Sequence, residues 1–383
     1  MGARALADNG EGMIKATGKD KRMKNVFIFG YYGFKNIGDE AILEAIVEEF
    51  REVIPEAQIT VLSYNAAETA SRYQINAVSR NRFLEVVKSI KNANVVMSGG
   101  GSILQDVTSS RSLMYYLGII LLAKLMGKKV AFYGNGFGPI LRRSNQWLVR
   151  HIINQVDLLT VRDVESRQVM QHLGIKRPIY VTADAAFTLK TLNGPSRERL
   201  AESDSKKVGI SVRQWKNKQN YIPMLATCAD RLAQEGYEIF MLPMQTPSDD
   251  AISNEIIQQM QYPAQIIDTE GDPKKTIDII AGMDFVIGMR LHSLIFSTIA
   301  CVPMIGLAYE TKITSFLNMV HQPCAGNVES LVMDDMVNTM NEFLENIEHY
   351  RAQVFYQQQE LKKRSKENTL MIKSFLMEGD SPV

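Results

Sequence analysis

Asn25-Val-Phe-Ile-Phe29, running into Gly30-Tyr-Tyr-Gly-Phe-Lys-Asn-Ile-Gly-Asp39, is the stretch that decides the fold. Five largely apolar residues predict a short strand, three glycines in the next ten a loop, and the text through Phe50 a helix. A strand that turns through glycines into a helix opens a βαβ unit, and such units build parallel sheets covered on both faces. The phrase recurs at Gln58–Leu62, Asn94–Met97, Lys129–Tyr133, Leu158–Val161 and Ile179–Thr182, each an apolar run followed by turn residues. Between Leu189 and Lys206 the chain becomes rich in Asn, Gly, Pro, Ser and charge, as linkers do. The pattern then restarts with strands at Val208–Val212, Tyr237–Leu242, Phe285–Ile287 and Met304–Leu307.

From Val332 onward the text is helical, and after Glu345 it is highly charged. Its length predicts a terminal helix that crosses back over the first domain. The expected organisation is an extension over 1–23, a domain over 24–190, a linker over 191–206, a second domain over 207–331 and helices over 332–383. This is an α/β protein of the GT-B-like kind, with two doubly wound Rossmann-like domains facing across a cleft. Ligands of such sheets sit beyond the carboxyl ends of the strands.

Bulk properties bound the function. At 383 residues the chain exceeds what one hydrophobic core supports. Lys plus Arg (43) nearly cancels Asp plus Glu (42), so no global basic field argues for a nucleic-acid partner. Cys228, Cys301 and Cys324 are dispersed and form no CxxC, which fits reduced thiols. No HExxH, Cys/His cluster or Asp-rich motif calls for a metal. The apolar run Leu113–Met126 is broken by Gly118 and Lys124 and is too short to span a bilayer. The Gly-, Ala- and Lys-rich start lacks the apolar core of a signal peptide and predicts a disordered extension of a cytoplasmic protein.

Four segments carry candidate chemistry, each following a predicted strand. In the first loop, Asp39 is placed to cap the next helix, and Asn36 and Asp39 are candidate ligand contacts beside a plain glycine-turn reading. Ser98-Gly-Gly-Gly-Ser102 has more glycines than a tight turn needs, which marks Gly100 and Gly101 as a ligand-facing loop; Gly134-Asn135-Gly136 repeats the theme. Arg162 ends a strand and either meets a ligand or pairs with Asp163 or Asp184, and Arg213 is its counterpart in the second domain.

The fourth segment is Gly288-Met-Arg-Leu-His-Ser293. Read as extended or turn, it projects Arg290 and His292 to one side. Arg offers a fork for carboxylate or phosphate, and His suits proton transfer near neutral pH. His151, His172, His321 and His349 lack such company. Lys312, in Tyr309-Glu-Thr-Lys312, adds a further cation after the next strand.

In their order, Asn36-Ile-Gly-Asp39, Gly99–Gly101, Gly136-Phe-Gly-Pro139, Val161-Arg-Asp163 with Ser166, Ala183-Asp-Ala-Ala-Phe187, Gly288–His292 and Tyr309–Lys312 resemble the polysaccharide pyruvyltransferases, from about Asn25 to about Phe316. Within them the chain is most similar to the CsaB type, which acts on secondary cell-wall polymers. The resemblance implies a GT-B fold and phosphoenolpyruvate as co-substrate, with no other cofactor. It implies a 4,6-ketal of pyruvate on N-acetylmannosamine of a lipid-linked precursor, made at the acceptor side (first domain) and donor side (second domain) of one cleft. Arg290, Leu291 and His292 would bind the donor with Lys312, Arg213 and Arg162. Arg290 and His292 would be catalytic, and Asn36, Asp39, Gly100, Gly101 and Asn135 would meet the acceptor. A lipid-linked acceptor brings in contact with the inner face of the membrane, for which Arg142-Arg143 and Leu361-Lys-Lys-Arg-Ser-Lys366 are candidates beside their reading as solvated faces. Two other readings stand beside it: a nucleotide-sugar-dependent glycosyltransferase or epimerase of the same fold, and a non-catalytic carbohydrate-binding scaffold.

Overall fold

The computed structural model describes residues 24–107, 110–191, 205–216 and 218–377. The expected extension over 1–23 and nearly all of the 191–206 linker lie outside the described residues. The first sheet contains β1 (Lys24–Phe29), β2 (Ala57–Ser63), β3 (Asn76–Ser79), β4 (Val95–Ser98), β5 (Lys129–Asn135), β6 (Leu158–Val161) and β7 (Ile179–Val181). The second contains β8 (Lys206–Ser211), β9 (Tyr237–Met241), β10 (Ala264–Ile266), β11 (Phe285–Gly288), β12 (Met304–Ala308) and β13 (Cys324–Asn327). The strand orders are β3-β2-β1-β4-β5-β6-β7 and β10-β9-β8-β11-β12-β13, and the pairings are parallel.

Strands β3, β10 and β13 carry no apolar run, which is why the sequence pattern passes over them. Each is a short edge strand, only partly covered. In both sheets the chain lays strands to one side of the first strand and then switches to the other, between β1 and β4 and between β8 and β11. A crevice opens at each switch beyond the strands' carboxyl ends. In the first domain the loops there are Gly30–Asn36 and Gly99–Ser102; in the second they follow β8 and β11.

Alternation along β1 sets the packing. Val26 and Ile28 join one apolar cluster, Phe27 and Phe29 another on the opposite face. The first cluster does not stop at the domain boundary. It continues through the helix Ile37–Val53 into the core around Val208, Phe285 and Leu307 and takes in Val354, Leu361 and Ile372 of the last helix. That helix, Ile347–Met377, returns from the second domain and lies along the first, as its length predicts.

The return is fixed by polar contacts. Asn368 accepts from the hydroxyls of Thr160 (2.6 Å) and Thr182 (2.8 Å) and donates to the Ala183 carbonyl (3.1 Å). Ser365 Oγ donates to the Asp184 carbonyl (2.8 Å), and Arg364 Nη2 to that of Thr182 (2.6 Å). Half of the basic run proposed for membrane contact is thereby part of an internal seam: Leu361 and Ser365 are buried and Arg364 is engaged. Among the described residues no helix is long and apolar enough to cross a membrane.

Asn368→Ala removes the acceptor shared by two buried hydroxyls, which retain the Phe132 (2.8 Å) and Val161 (3.2 Å) carbonyls, and takes a donor from the Ala183 carbonyl, and should cost about 1–2 kcal/mol. A lower thermal midpoint, with loss of activity before global unfolding, is the expected result. Wild-type stability and activity would show the seam to be dispensable.

Candidate active site

Asn36, not Asp39, caps the first helix. Its Oδ1 accepts from the backbone N–H groups of Gly38 (3.1 Å) and Asp39 (3.2 Å). Asp39 falls in the first helical turn, and its carboxylate is left to face the cleft. The same loop is tied to the other domain: Ile37 N donates to the Met244 carbonyl (3.0 Å), and Asn36 bridges Gln245.

The glycine triplet serves the protein's own packing, and Gly100, Gly101 and Asn135, expected to meet the acceptor, are not among the residues that line the cleft. Gly100 and Gly101 have φ of +88° and +69°, which L side chains rarely adopt. Their carbonyls accept from Asn135 Nδ2 (2.8 and 3.4 Å), whose amide also reaches Ser98 Oγ (2.9 Å). All three residues are buried behind the cleft wall. A side chain on Gly101 would sit 3.0 Å from Asp39 Oδ1, so the triplet makes room for that carboxylate.

Arg162 resolves its two readings in favour of internal pairing. Its Nη1 meets Asp184 (3.0 Å), Nε meets Asp163 (3.3 Å) and Nη2 meets Ser102 Oγ (2.9 Å). All three nitrogens are engaged and the side chain is only 6% exposed. Gly136 is required beside it, since a Cβ there would come 2.6 Å from Nη2. Arg162 touches the cleft but acts first as a brace for Asp184.

His292 approaches Asp184 from the second domain. Its Nε2 lies 3.8 Å from Asp184 Oδ2, an ion-pair separation too long for a hydrogen bond. Nε2 is buried and has no hydrogen-bond partner. Arg290 and His292 do not project from an extended segment as read from sequence: Arg290 precedes the helix Leu291–Ile299 and His292 is in its first turn. The ring is seated on the first domain's helix, where a Cβ on Gly38 would be 2.2 Å from its Cγ and Nδ1. Only glycine at 38 admits it.

The second domain's side of the cleft collects cations and helix starts. Arg290 binds Asp249 through Nε (3.0 Å) and Nη2, which leaves Nη1 free of that pair. Asp249 is fully buried and also accepts from the N–H groups of Met244 and Gln245. Arg213 donates to Tyr309 Oη (2.9 Å) and lies against the rings of Tyr309 and Trp215. Lys312 pairs with Glu310. No side chain caps the helices Leu291–Ile299 and Thr311–Met319; Ser293 N and Ile313 N donate to the Arg290 and Glu310 carbonyls, and the N–H groups before them are available to an anion.

These residues surround one cleft of about 300 Å³ between the domains. Asn36, Asp39, Arg162, Arg213, Arg290, Leu291, His292 and Lys312 line it. Sequence reasoning missed two partners that orient the cleft, Asp249 and Gln245, and quoted Tyr309 and Glu310 only as the segment that carries Lys312. Burial raises the Asp39 carboxyl to about 7, with His292 pulling it down and Glu40 and Asp184 adding to the rise. Burial also pushes Asp184 upward, but His292, Arg162 and the Ala186 N–H outweigh it and hold it near about 2. Two neighbouring carboxyls are thus held far apart in acidity. Among the described residues no cluster of three His, Cys, Asp or Glu is placed to hold a metal ion.

Two parallel-sheet domains with a cleft between them define a GT-B-type fold. The fold agrees with known structures: UDP-GlcNAc 2-epimerase from Neisseria meningitidis bound to UDP-GlcNAc superposes with a TM-score of 0.60 at 12% identity, covering 92% of this chain and 100% of that one. A glycosyltransferase from Rickettsia africae gives 0.60 at 12% identity, covering 94% and 99%. The polysaccharide pyruvyl transferase family model matches residues 36–311, and the chain belongs to that family. It is similar to the amylovoran biosynthesis protein AmsJ of Erwinia amylovora, 23% identical over 395 residues, covering 86% of this chain and 94% of AmsJ.

Gly38→Ala should cut turnover by about 100-fold, the scale of a 1 Å misplacement of a reacting group. Ala favours helix over Gly by about 1 kcal/mol, so intact helical circular dichroism would isolate the steric effect. Unchanged turnover would dissociate His292 from the reaction. Because the folded chain holds the Asp39 proton up to about 7 against an ordinary value of 3.8, its stabilising effect is full below pH 3.8 and is lost as pH rises through 7. Denaturant unfolding of Asp39→Asn should therefore show stability relative to wild type rising between pH 5 and 8; a flat difference would contradict the raised pKa.

Proposed function

We propose that this pyruvyltransferase takes its pyruvyl group from phosphoenolpyruvate and closes a 4,6-ketal on a sugar of a lipid-linked polysaccharide precursor, N-acetylmannosamine in the CsaB-type reading. The observation that carries the reading is the unpartnered Nε2 of His292, buried in the cleft between Asp39 and the cationic donor wall. A carboxylate and a phosphate on three adjacent carbons need several cations in a small volume, and Arg213, the free edge of Arg290 and Lys312 supply them with two helix starts.

The reaction needs one proton delivered to C3 of the enol and two removed from acceptor hydroxyls. Protonation by His292 makes C2 electrophilic, and a sugar oxygen bonds to it as Asp39 takes that hydroxyl's proton. The C2–O bond to phosphate then breaks, with Arg213 and Arg290 stabilising the departing charge. The second hydroxyl closes the ring at C2. Of the two hydroxyl protons, one replaces that given to C3 and the other leaves with hydrogen phosphate. Asp184, held ionised by Arg162, stabilises the charged form of His292 between steps. Asn36 contributes the cap that aims Asp39.

Purified enzyme given phosphoenolpyruvate and a lipid-linked N-acetylmannosaminyl disaccharide should release phosphate and add the mass of a pyruvate ketal to the disaccharide. UDP release from UDP-sugars without phosphate release would instead favour the nucleotide-sugar reading. His292→Ala should lower turnover about 100-fold or more with the fold intact. The pH–rate profile should rise through about 7 as Asp39 ionises, and Asp39→Asn should remove that limb together with most of the activity.

A further inference from the structure

Tyr31 lines the cleft on the first domain's side, and its ring is the inner end of an aromatic row. Phe34 stacks on it with centroids 4.1 Å apart and planes 8° from parallel. Tyr64 stacks on Phe34 at 4.7 Å and is 56% exposed. The guanidinium of Arg80 lies over the rings of Phe34 (5.4 Å) and Tyr115 (4.5 Å). Tyr31 and Tyr115 pack against the margin of the second apolar cluster, yet they, Phe34 and Arg80 all keep part of their surface exposed. The row leads outward from the reacting cleft.

It is also rigid. Tyr64 N donates to the Tyr32 carbonyl (3.0 Å) and Arg80 N to that of Ser63 (3.0 Å), so the three segments carrying the row are joined by backbone hydrogen bonds. Gly33, at φ +78°, lets the first loop close onto this seam, since a Cβ there would lie 2.3 Å from Ser63 Oγ and 2.6 Å from Asn65 N. An exposed aromatic row that the backbone holds in place, continuous with a cleft, has the properties of a preformed ligand surface rather than of incidental exposure.

We propose that Tyr31, Phe34, Tyr64 and Arg80 form an acceptor subsite for the glycosyl unit next to the one that receives pyruvate. A sugar ring presents C–H groups on its faces, which pack on aromatic surfaces, and hydroxyls at its rim, which need donors and acceptors. Phenol and guanidinium groups beside aromatic faces meet both needs. The enzyme then measures at least two sugars of its acceptor, which separates an oligosaccharide precursor from a free monosaccharide. The subsite rests on the acceptor lying on the first domain's side of the cleft, as in the proposed function.

The test is isothermal titration of the wild type with two methyl glycosides, N-acetylmannosamine and a disaccharide carrying it at the non-reducing end. The disaccharide should bind at least about 5-fold more tightly, the scale of one aromatic contact. Tyr64→Ala should remove that advantage, Tyr64→Phe should keep it, and neither should change the KM for phosphoenolpyruvate. Equal affinity for the two glycosides, binding of neither, or an advantage that survives Tyr64→Ala overturns the subsite. Phosphate release is scored separately: binding that follows the expected pattern without phosphate release from phosphoenolpyruvate would refute the donor and leave the subsite standing.

Discussion

The buried carboxylate of Asp184 is the contact on which the rest of this structure turns. On it converge the guanidinium of Arg162, the backbone N–H of Ala186 and, from the second domain, the imidazole of His292. Its own carbonyl is held by Ser365 of the last helix. An isolated carboxylate in this place would be protonated; with these partners it stays ionised and becomes the fixed negative point around which the site is built. It also explains the state of Asp39, which shares the neighbourhood but lacks such support. One acid is committed to structure, the other is left free to exchange a proton near neutrality.

The second theme is close approach between domains. His292 rests on the helix of the opposite domain with no space for even a methyl group between them, and Ile37 donates across the same boundary to Met244. Arg213, Arg290 and Lys312 come from one domain and Asn36, Asp39 and Arg162 from the other, so the cleft belongs to the interface and to neither half alone. The cluster of apolar side chains that runs through both domains gives that interface the stiffness of a core.

Much of this was legible in the sequence. The central strands are buried on both faces and so read as continuous apolar runs; the motif residues Arg290, His292, Arg213 and Lys312 each sit just past such a run and do line the cleft. What the sequence concealed has physical reasons. Edge strands such as Asn76–Ser79 bury too little to show a pattern. The Arg290–Asp249 pair joins residues 41 apart in the chain, a distance that no local pattern spans. Glycines and Asn135 looked ligand-facing because close approach to a ligand and close approach to the protein's own backbone demand the same residue types. The helix cap went to Asn36 because its Oδ1 reaches the first two free N–H groups from outside the helix, whereas Asp39 already lies within it.

The returning helix has a consequence for how an active molecule comes into being. Residues beyond 345 are made after both sheets, yet they supply the pegs beneath Thr160, Thr182 and Asp184 in the domain made first. A nascent chain can assemble both sheets and still lack the support that holds its central carboxylate. A copy interrupted before residue 365 carries every residue that lines the cleft and lacks the peg beneath its central carboxylate.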